Sequence, residues 1–272
     1  MKGDKNMTPL INTLIQVGIF VLSIYVVGFI ISLINKLFYK IAGTSKAVIY
    51  TTGIIGTPIH ELSHALFCII FLHKITEMKL FQINSEDGTL GYVNHSYNRR
   101  NIYHIIGNFF IGVAPILVGT TILILLMKLM VPSVFDGIVD SINSFVKVCG
   151  NEFVFSEFFK MLGNIFVTFF KGATDWVWWI YFVICFFIAL HMNLSKADLK
   201  GTVIAIPFII VIIACINFIL YYVSTNAYNG YLNGMWIGGM YLLIVLLSSL
   251  LYSGLSLGFA VVIGLIRKAG KK

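Results

Sequence analysis

Residues 48–73, VIYTTGIIGTPIHELSHALFCIIFLH, form a long apolar run in which Glu61 is the only residue with a formal charge. A hydrocarbon core about 30 Å thick is crossed by about 20 consecutive apolar residues in a helix. The run is long enough for such a crossing. It therefore predicts a transmembrane helix that carries three ionisable side chains, those of His60, Glu61 and His64, near its middle.

Five further apolar runs occur along the chain, and with the first they predict six transmembrane helices. They cover residues 10–37, 102–131, 176–193, 201–223 and 234–266. Charged residues make up only 11% of the 272 residues, whereas a soluble globular domain contains roughly 25%. We therefore expect an all-α polytopic membrane protein, with residues 1–272 forming a single integral membrane domain in the lipid bilayer.

Residues 133–172 are rich in phenylalanine but are interrupted by charged side chains. These include Asp136, Asp140, Lys147, Glu152, Glu157 and Lys160. The mixture predicts one or two amphipathic helices at the membrane interface. A seventh transmembrane helix is the alternative.

Between the second and third apolar runs lie two segments of alternating polarity, KITEMKLFQI (74–83) and GTLGYVNHSY (88–97). The turn-like NSEDG (84–88) joins them, so the pattern predicts a small β-hairpin. Open strand edges cannot face lipid. The hairpin is therefore expected at the membrane surface or lining a cavity within the protein.

Basic residues lie mostly at the ends of apolar runs, which explains the formal charge of +8 without a nucleic-acid partner. Basic residues favour the cytoplasmic side, and they occur in the loop with Arg99 and Arg100 and in the C-terminal tail. We therefore expect both termini to be cytoplasmic. We expect the membrane to be a bacterial cytoplasmic membrane. The uncharged STNAYNGYLNG (224–234) is then a loop on the outside. Three lysines between the first two runs disagree with this orientation: Lys36, Lys40 and Lys46.

His60 and His64 are four residues apart, so on a helix they lie on one face and can share a zinc ion. Glu61 adjoins the first of them and can act as general base on water that the metal polarises. Ionisable groups inside a membrane are costly to bury unless they pair, bind something or line a water-filled cavity. The alternative is a polar cluster that bonds neighbouring helices.

Zinc needs a third protein ligand, and Asp198 in HMNLSKADLKG (191–201) is the best candidate. In the predicted topology this segment returns to the side toward which the HELSH helix runs. His191 is the second candidate, and a solvated loop acid beside lysines is the alternative reading of Asp198. Three other histidines, His73, His95 and His104, lie near segment ends and are not assigned as ligands.

At these residues the chain distantly resembles the site-2 protease family of intramembrane zinc metalloproteases. Over residues 48–201, the order of motif helix, membrane-associated β-hairpin, return helix and third helix ending near an Asp is similar to that family's core. The resemblance implies that His60, His64 and Asp198 bind Zn²⁺ and that Glu61 is the catalytic base. Unlike the family's usual Asp-Gly, Asp198 is separated from Gly201 by two residues.

The expected activity is hydrolysis of a peptide bond in a transmembrane or membrane-proximal segment of a substrate membrane protein. The segments 76–83 and 89–96 are candidates to hold the unwound substrate by β-augmentation. A non-catalytic membrane scaffold or regulator with the same fold, or a small-solute transporter, is the alternative. Gly254 and Gly258 form a GxxxG pair for which we expect internal packing, with a homodimer as the other possibility.

Overall fold

The computed structural model of the protein describes residues 7–43, 46–86, 88–149 and 154–269. The helices found there, in chain order, are α1 (Met7–Val17), α2 (Ser23–Ala42), α3 (Lys46–Ile70), α4 (Ile102–Met130), α5 (Pro132–Cys149), α6 (Phe155–Lys171), α7 (Trp176–Leu190), α8 (Lys196–Val223) and α9 (Thr225–Ala269). A π-helical turn, Gly18–Leu22, joins α1 to α2. Between α3 and α4, β1 (Lys74–Lys79) pairs with β2 (Tyr92–Ser96) in an antiparallel hairpin.

Five helices in the described ranges are long and apolar enough to cross a membrane: Thr8–Ala42, α3, α4, α8 and Thr225–Leu265. The prediction of an all-α polytopic membrane protein with a small β-hairpin is thus confirmed. The predicted fourth crossing is the apolar helix α7, which has only 15 residues. At 1.5 Å per residue it is about 22 Å long, shorter than a hydrocarbon core of about 30 Å.

Residues 133–172 form the helices α5 and α6, of 18 and 17 residues. Neither is among the helices long and apolar enough to span a membrane. Both expose charged side chains, such as Asp140 on α5 and Lys160 on α6, and bury apolar ones, such as Phe145 and Phe169. Among the described residues 133–149 and 154–172 there are therefore two amphipathic helices and no helix suited to a seventh crossing. Glu152 lies outside the described residues.

The segment 224–234, predicted to be a loop on the outside, is helical from Thr225 onward, so the prediction of a loop is wrong. Ser224 ends α8, where its N–H donates to the Leu220 carbonyl oxygen at 3.0 Å, and its Oγ accepts from the Ala227 N–H at 3.3 Å. Because Ser224 caps the next helix and no proline follows, the asparagines and glycines of this segment continue as the first turns of α9.

The expected internal packing of Gly254 and Gly258 is also wrong. A Cβ atom at either glycine would meet no described atom within 4 Å. At Gly254 the reason is that α9 borders an apolar cavity of about 680 Å³, which it shares with α4, α5 and α6.

The central helix is α4, which packs against α3, α7 and α8. Gly112, in its middle, lies where a Cβ would contact the Thr202 side chain and would come within 2.6 Å of the Asp198 carbonyl oxygen. A larger residue would therefore push the first turns of α8 away. This close approach brings the start of α8 to the same level as the middle of α3.

Candidate metal centre

Three side chains from two helices converge on one point. The Nε2 atoms of His60 and His64, one turn apart on α3, are 3.1 Å from each other. The Oδ1 atom of Asp198, in the first turn of α8, is 3.3 Å from His64 Nε2. One ligand atom from each of the three residues lies within 4.8 Å of the others.

The hydrogen bonds of the two histidines fix which ring nitrogens face the centre. His60 Nδ1 is 2.5 Å from the His191 carbonyl oxygen, and His64 Nδ1 is 2.7 Å from the Ile111 carbonyl oxygen. A carbonyl can only accept, so each Nδ1 carries a proton and donates it. In a neutral ring this leaves the Nε2 lone pair directed at the centre, as in histidines that bind metals.

Two of the three separations between the donor atoms match those around a zinc ion. Tetrahedral zinc with bonds near 2.0–2.1 Å separates neighbouring donor atoms by about 3.3 Å. The separations of 3.1 and 3.3 Å are close to this value. Three lone pairs that point at one another need a proton or a cation between them. Two imidazoles and one carboxylate also leave the open fourth position typical of a catalytic zinc site.

Asp198 is held by the start of its own helix. Its Oδ2 accepts from the Ser195 N–H at 2.7 Å, and the Ser195 Oγ accepts from the Asp198 N–H at 3.1 Å. This is a capping box, which leaves Oδ1 free to face His64. The alternative reading of Asp198 as a solvated loop acid does not fit this geometry, because the side chain points into the cluster from a helix.

His191 does not join the converging group. Its Nδ1 lies 3.1 Å from the Phe187 carbonyl oxygen within the last turn of α7. Its backbone carbonyl instead accepts the proton of His60 Nδ1. The second candidate for a third ligand thus contributes through its main chain, by orienting the first histidine.

Glu61 lines the same cavity as the three converging residues and is only 7% exposed. The cavity has a volume of about 440 Å³ and is walled by α3, α4, the start of α8 and the β2 side of the hairpin. Gly91 lies directly over Glu61, since a Cβ at Gly91 would come within 2.8 Å of Glu61 Cγ. The glycine lets the hairpin cover the acid.

The hairpin runs back along α3, from its C-terminal end to its N-terminal end. The Asn84 N–H, near the hairpin tip, donates to the Tyr50 hydroxyl at 3.0 Å, and Asn84 Oδ1 is 3.3 Å from Lys46 Nζ. Cavity-lining residues come from β2 and the turn before it, and none of the described residues of β1 is among them. The hairpin thus lines a cavity within the protein. This is one of the two positions predicted for it, since open strand edges cannot face lipid.

His95 lines this cavity, although the sequence gave no reason to assign it a role. Its Nδ1 is 3.0 Å from Nδ1 of the buried His73, whose Nε2 donates to the His104 carbonyl oxygen at 2.8 Å. His73 Nδ1 must then accept from His95, which leaves the His95 Nε2 without a proton. Burial, with smaller contributions from charge on His73 and His64, lowers the pKa of His95 to about 4.

No protein-family model matches the chain, and neither the curated proteins nor the solved structures include a significant match.

Proposed function

We propose that this integral membrane protein is a zinc metalloprotease that cleaves peptide bonds within or beside the membrane. The observation that carries the proposal is the convergence of His60 Nε2, His64 Nε2 and Asp198 Oδ1 beside a buried glutamate in one cavity. A structural zinc site needs four ligands and no adjacent acid. Three ligands, an open position and Glu61 together favour hydrolysis.

In the proposed hydrolysis, the three ligands and Glu61 have different roles. A zinc ion held by His60, His64 and Asp198 would act as a Lewis acid on water and on the scissile carbonyl. Glu61 accepts a proton from the attacking water and delivers it to the leaving amide nitrogen. The water oxygen bonds to the carbonyl carbon as the C–N bond breaks.

The position of β2 supports binding of an extended substrate segment. Peptide bonds in a helix are hidden by intrahelical hydrogen bonds, so a transmembrane substrate must unwind before it is cleaved. Within the described residues β2 pairs with β1 on one edge only, and its residues 92–95 line the cavity. Of the two segments considered, 89–96 is therefore the better candidate for β-augmentation.

We also propose the family type and the membrane location that were inferred from the sequence. The proposal assigns the chain to the site-2 protease type, with residues 48–201 as the core, in a bacterial cytoplasmic membrane. The predicted cytoplasmic position of both termini is not kept, because Thr8–Ala42 runs parallel to α9, with Asn12 beside Tyr228 and Ile41 beside Gly264, so the two ends of the described chain lie at opposite ends of these helices. A membrane protein is the substrate. The exposed surface at Gly258 is compatible with a homodimer.

The test is cleavage of a pool of synthetic single-span peptides by the purified protein, with products identified by mass spectrometry. We expect cleavage that a zinc chelator abolishes, that added zinc restores, and that Glu61→Gln reduces by about 10²–10⁴-fold. Glu157→Gln, which changes an acid on α6 paired with Lys160, is the matched control. Cleavage that survives Glu61→Gln would contradict the proposal, and zinc-loaded wild type that cleaves no peptide would favour the scaffold alternative.

A further inference from the structure

A second polar cluster lies inside the helical bundle, where α1, the end of α8 and the start of α9 meet. Asn217 Nδ2 donates to Gln16 Oε1 at 2.8 Å and lies 3.2 Å from Thr13 Oγ1. The Tyr231 hydroxyl donates to the same Gln16 oxygen at 3.0 Å. These bonds join three helices and hold the Gln16 carboxamide in one orientation.

The amide nitrogen of Gln16 is left without a partner among the described residues. Gln16 is 4% exposed, and its Nε2 is a buried donor that makes no hydrogen bond. An unpaired buried donor lowers the stability of the folded state. Gln16 also lines a cavity beside this polar cluster.

That cavity has a volume of about 570 Å³, which falls in the usual range for small-molecule sites. Amide side chains and apolar side chains form its walls, and none of the described lining residues is charged. They are Asn12, Ile15, Gln16, Ile19, Asn229, Leu232, Asn233, Met235 and Trp236. Several neutral donors and acceptors beside an indole ring match a hydroxyl-rich, uncharged ligand and offer no counter-ion for a phosphate.

The cavity can be reached from the lipid. Ile15, one of its lining residues, is 50% exposed on the outer face of a membrane-spanning helix. Asn217 lies nineteen residues beyond Asp198 on α8, or about 28 Å along the helix axis. The amide cavity thus lies toward the opposite end of α8 from the metal cluster.

We propose that this cavity binds the headgroup of a neutral glycolipid, with sugar hydroxyls on the amides of Asn229 and Asn233. The apolar residues Ile15 and Leu232 would contact the start of the acyl chains. The site is separate from the metal cluster and does not depend on proteolysis.

The test is native mass spectrometry of the full-length protein in detergent, with three probes added in turn. They are a diglucosyl diacylglycerol, phosphatidylglycerol with the same acyl chains, and maltose. We expect the glycolipid to bind at least tenfold more tightly than either of the others. Asn229→Ala combined with Asn233→Ala should weaken glycolipid binding about tenfold, since each removes one hydrogen bond.

Asn226→Ala is the matched control, because Asn226 lies on the same helix, is exposed and is not part of the lining. Asn229 and Asn233 are also exposed, so their replacement should leave the fold intact. The proposed site would be contradicted if glycolipid and phosphatidylglycerol bound equally tightly. It would also be contradicted if the double variant bound the glycolipid with the affinity of wild type. Maltose binding as tightly as the glycolipid would overturn the assignment to a lipid.

Discussion

Two polar clusters lie toward opposite ends of α8, and they satisfy their hydrogen-bonding groups in different ways. Around Asn217, carboxamides and hydroxyls offer both donors and acceptors, so most of them pair with one another across three helices. Around Asp198, both histidines donate their Nδ1 protons to carbonyls outside the cluster. Only acceptors then face the centre.

The difference separates a cluster that can be structural from one that needs a ligand. A set of neutral amides inside a membrane can stabilise helix packing by itself. A set of convergent acceptors cannot, because its lone pairs repel until a cation lies between them. Changes at the Asp198 end should therefore affect metal and catalysis, and changes at the Asn217 end should affect stability.

The largest change in cleavage rate among these predictions is expected from Gly91→Ala. The new methyl group would displace the hairpin or Glu61, which lies 2.8 Å from the added Cβ. A misplacement of about 1 Å can cost about 10² in rate, so cleavage should fall by that factor while zinc is retained. Peptide cleavage and metal content are measured on the same sample. Gly163→Ala is the control, since a Cβ there meets nothing within 4 Å.

A smaller effect is expected from Gly112→Ala. The added Cβ would press on Thr202 and on the Asp198 carbonyl and shift the third ligand. Changes that disturb ligand orientation typically cost 10–100-fold in metal affinity, and competition with a fluorescent zinc chelator measures this. Unchanged affinity would show that the approach of α4 to α8 does not position Asp198.

At the other end, Asn217→Leu should lower stability and leave the zinc content unchanged. It removes the bonds to Gln16 and Thr13, and polar contacts between membrane helices contribute about 0.6–1.7 kcal/mol each. Thermal unfolding in detergent measures the loss, with Asn226→Leu as the exposed control. Loss of zinc in Asn217→Leu would contradict the independence of the two clusters.

The smallest effect concerns pH. The pKa of His95 in the folded protein is about 4, below its unfolded value of about 6.5. The unfolded chain therefore binds more protons between these values, and stability should fall as pH drops from about 6.5 toward 4. The melting temperature should fall less in His95→Gln than in wild type between pH 7.5 and 5. Identical pH dependence in both proteins would remove His95 from this account.

Apolar runs predicted most of the fold, because a membrane requires long apolar helices. The sequence could not reveal that α7 ends at Leu190, short of a full crossing, nor that residues 225–234 are helical. Both depend on local capping, by His191 and Ser224 respectively. The Ser195–Asp198 capping box was visible as Ser-Lys-Ala-Asp, and this signal predicts the start of α8.

Only some residues of the candidate site could be predicted from the sequence. His60, Glu61 and His64 follow from helical spacing alone, and the structure places Asp198 beside them. The orienting carbonyls of His191 and Ile111, and the place of His95 in the cavity, depend on contacts between distant segments. No local pattern encodes such contacts.

The central claim is tested most directly by the zinc content of purified wild type, His60→Ala, His64→Ala, Asp198→Asn, His191→Ala and Glu61→Gln, measured by mass spectrometry. Asp140→Asn, an exposed acid on α5, is the control. We predict about one zinc ion per chain in wild type, Glu61→Gln and Asp140→Asn. We also predict zinc in His191→Ala, whose carbonyl is kept, and loss of the ion in the other three. Folded wild type without zinc after metal is supplied would contradict the account.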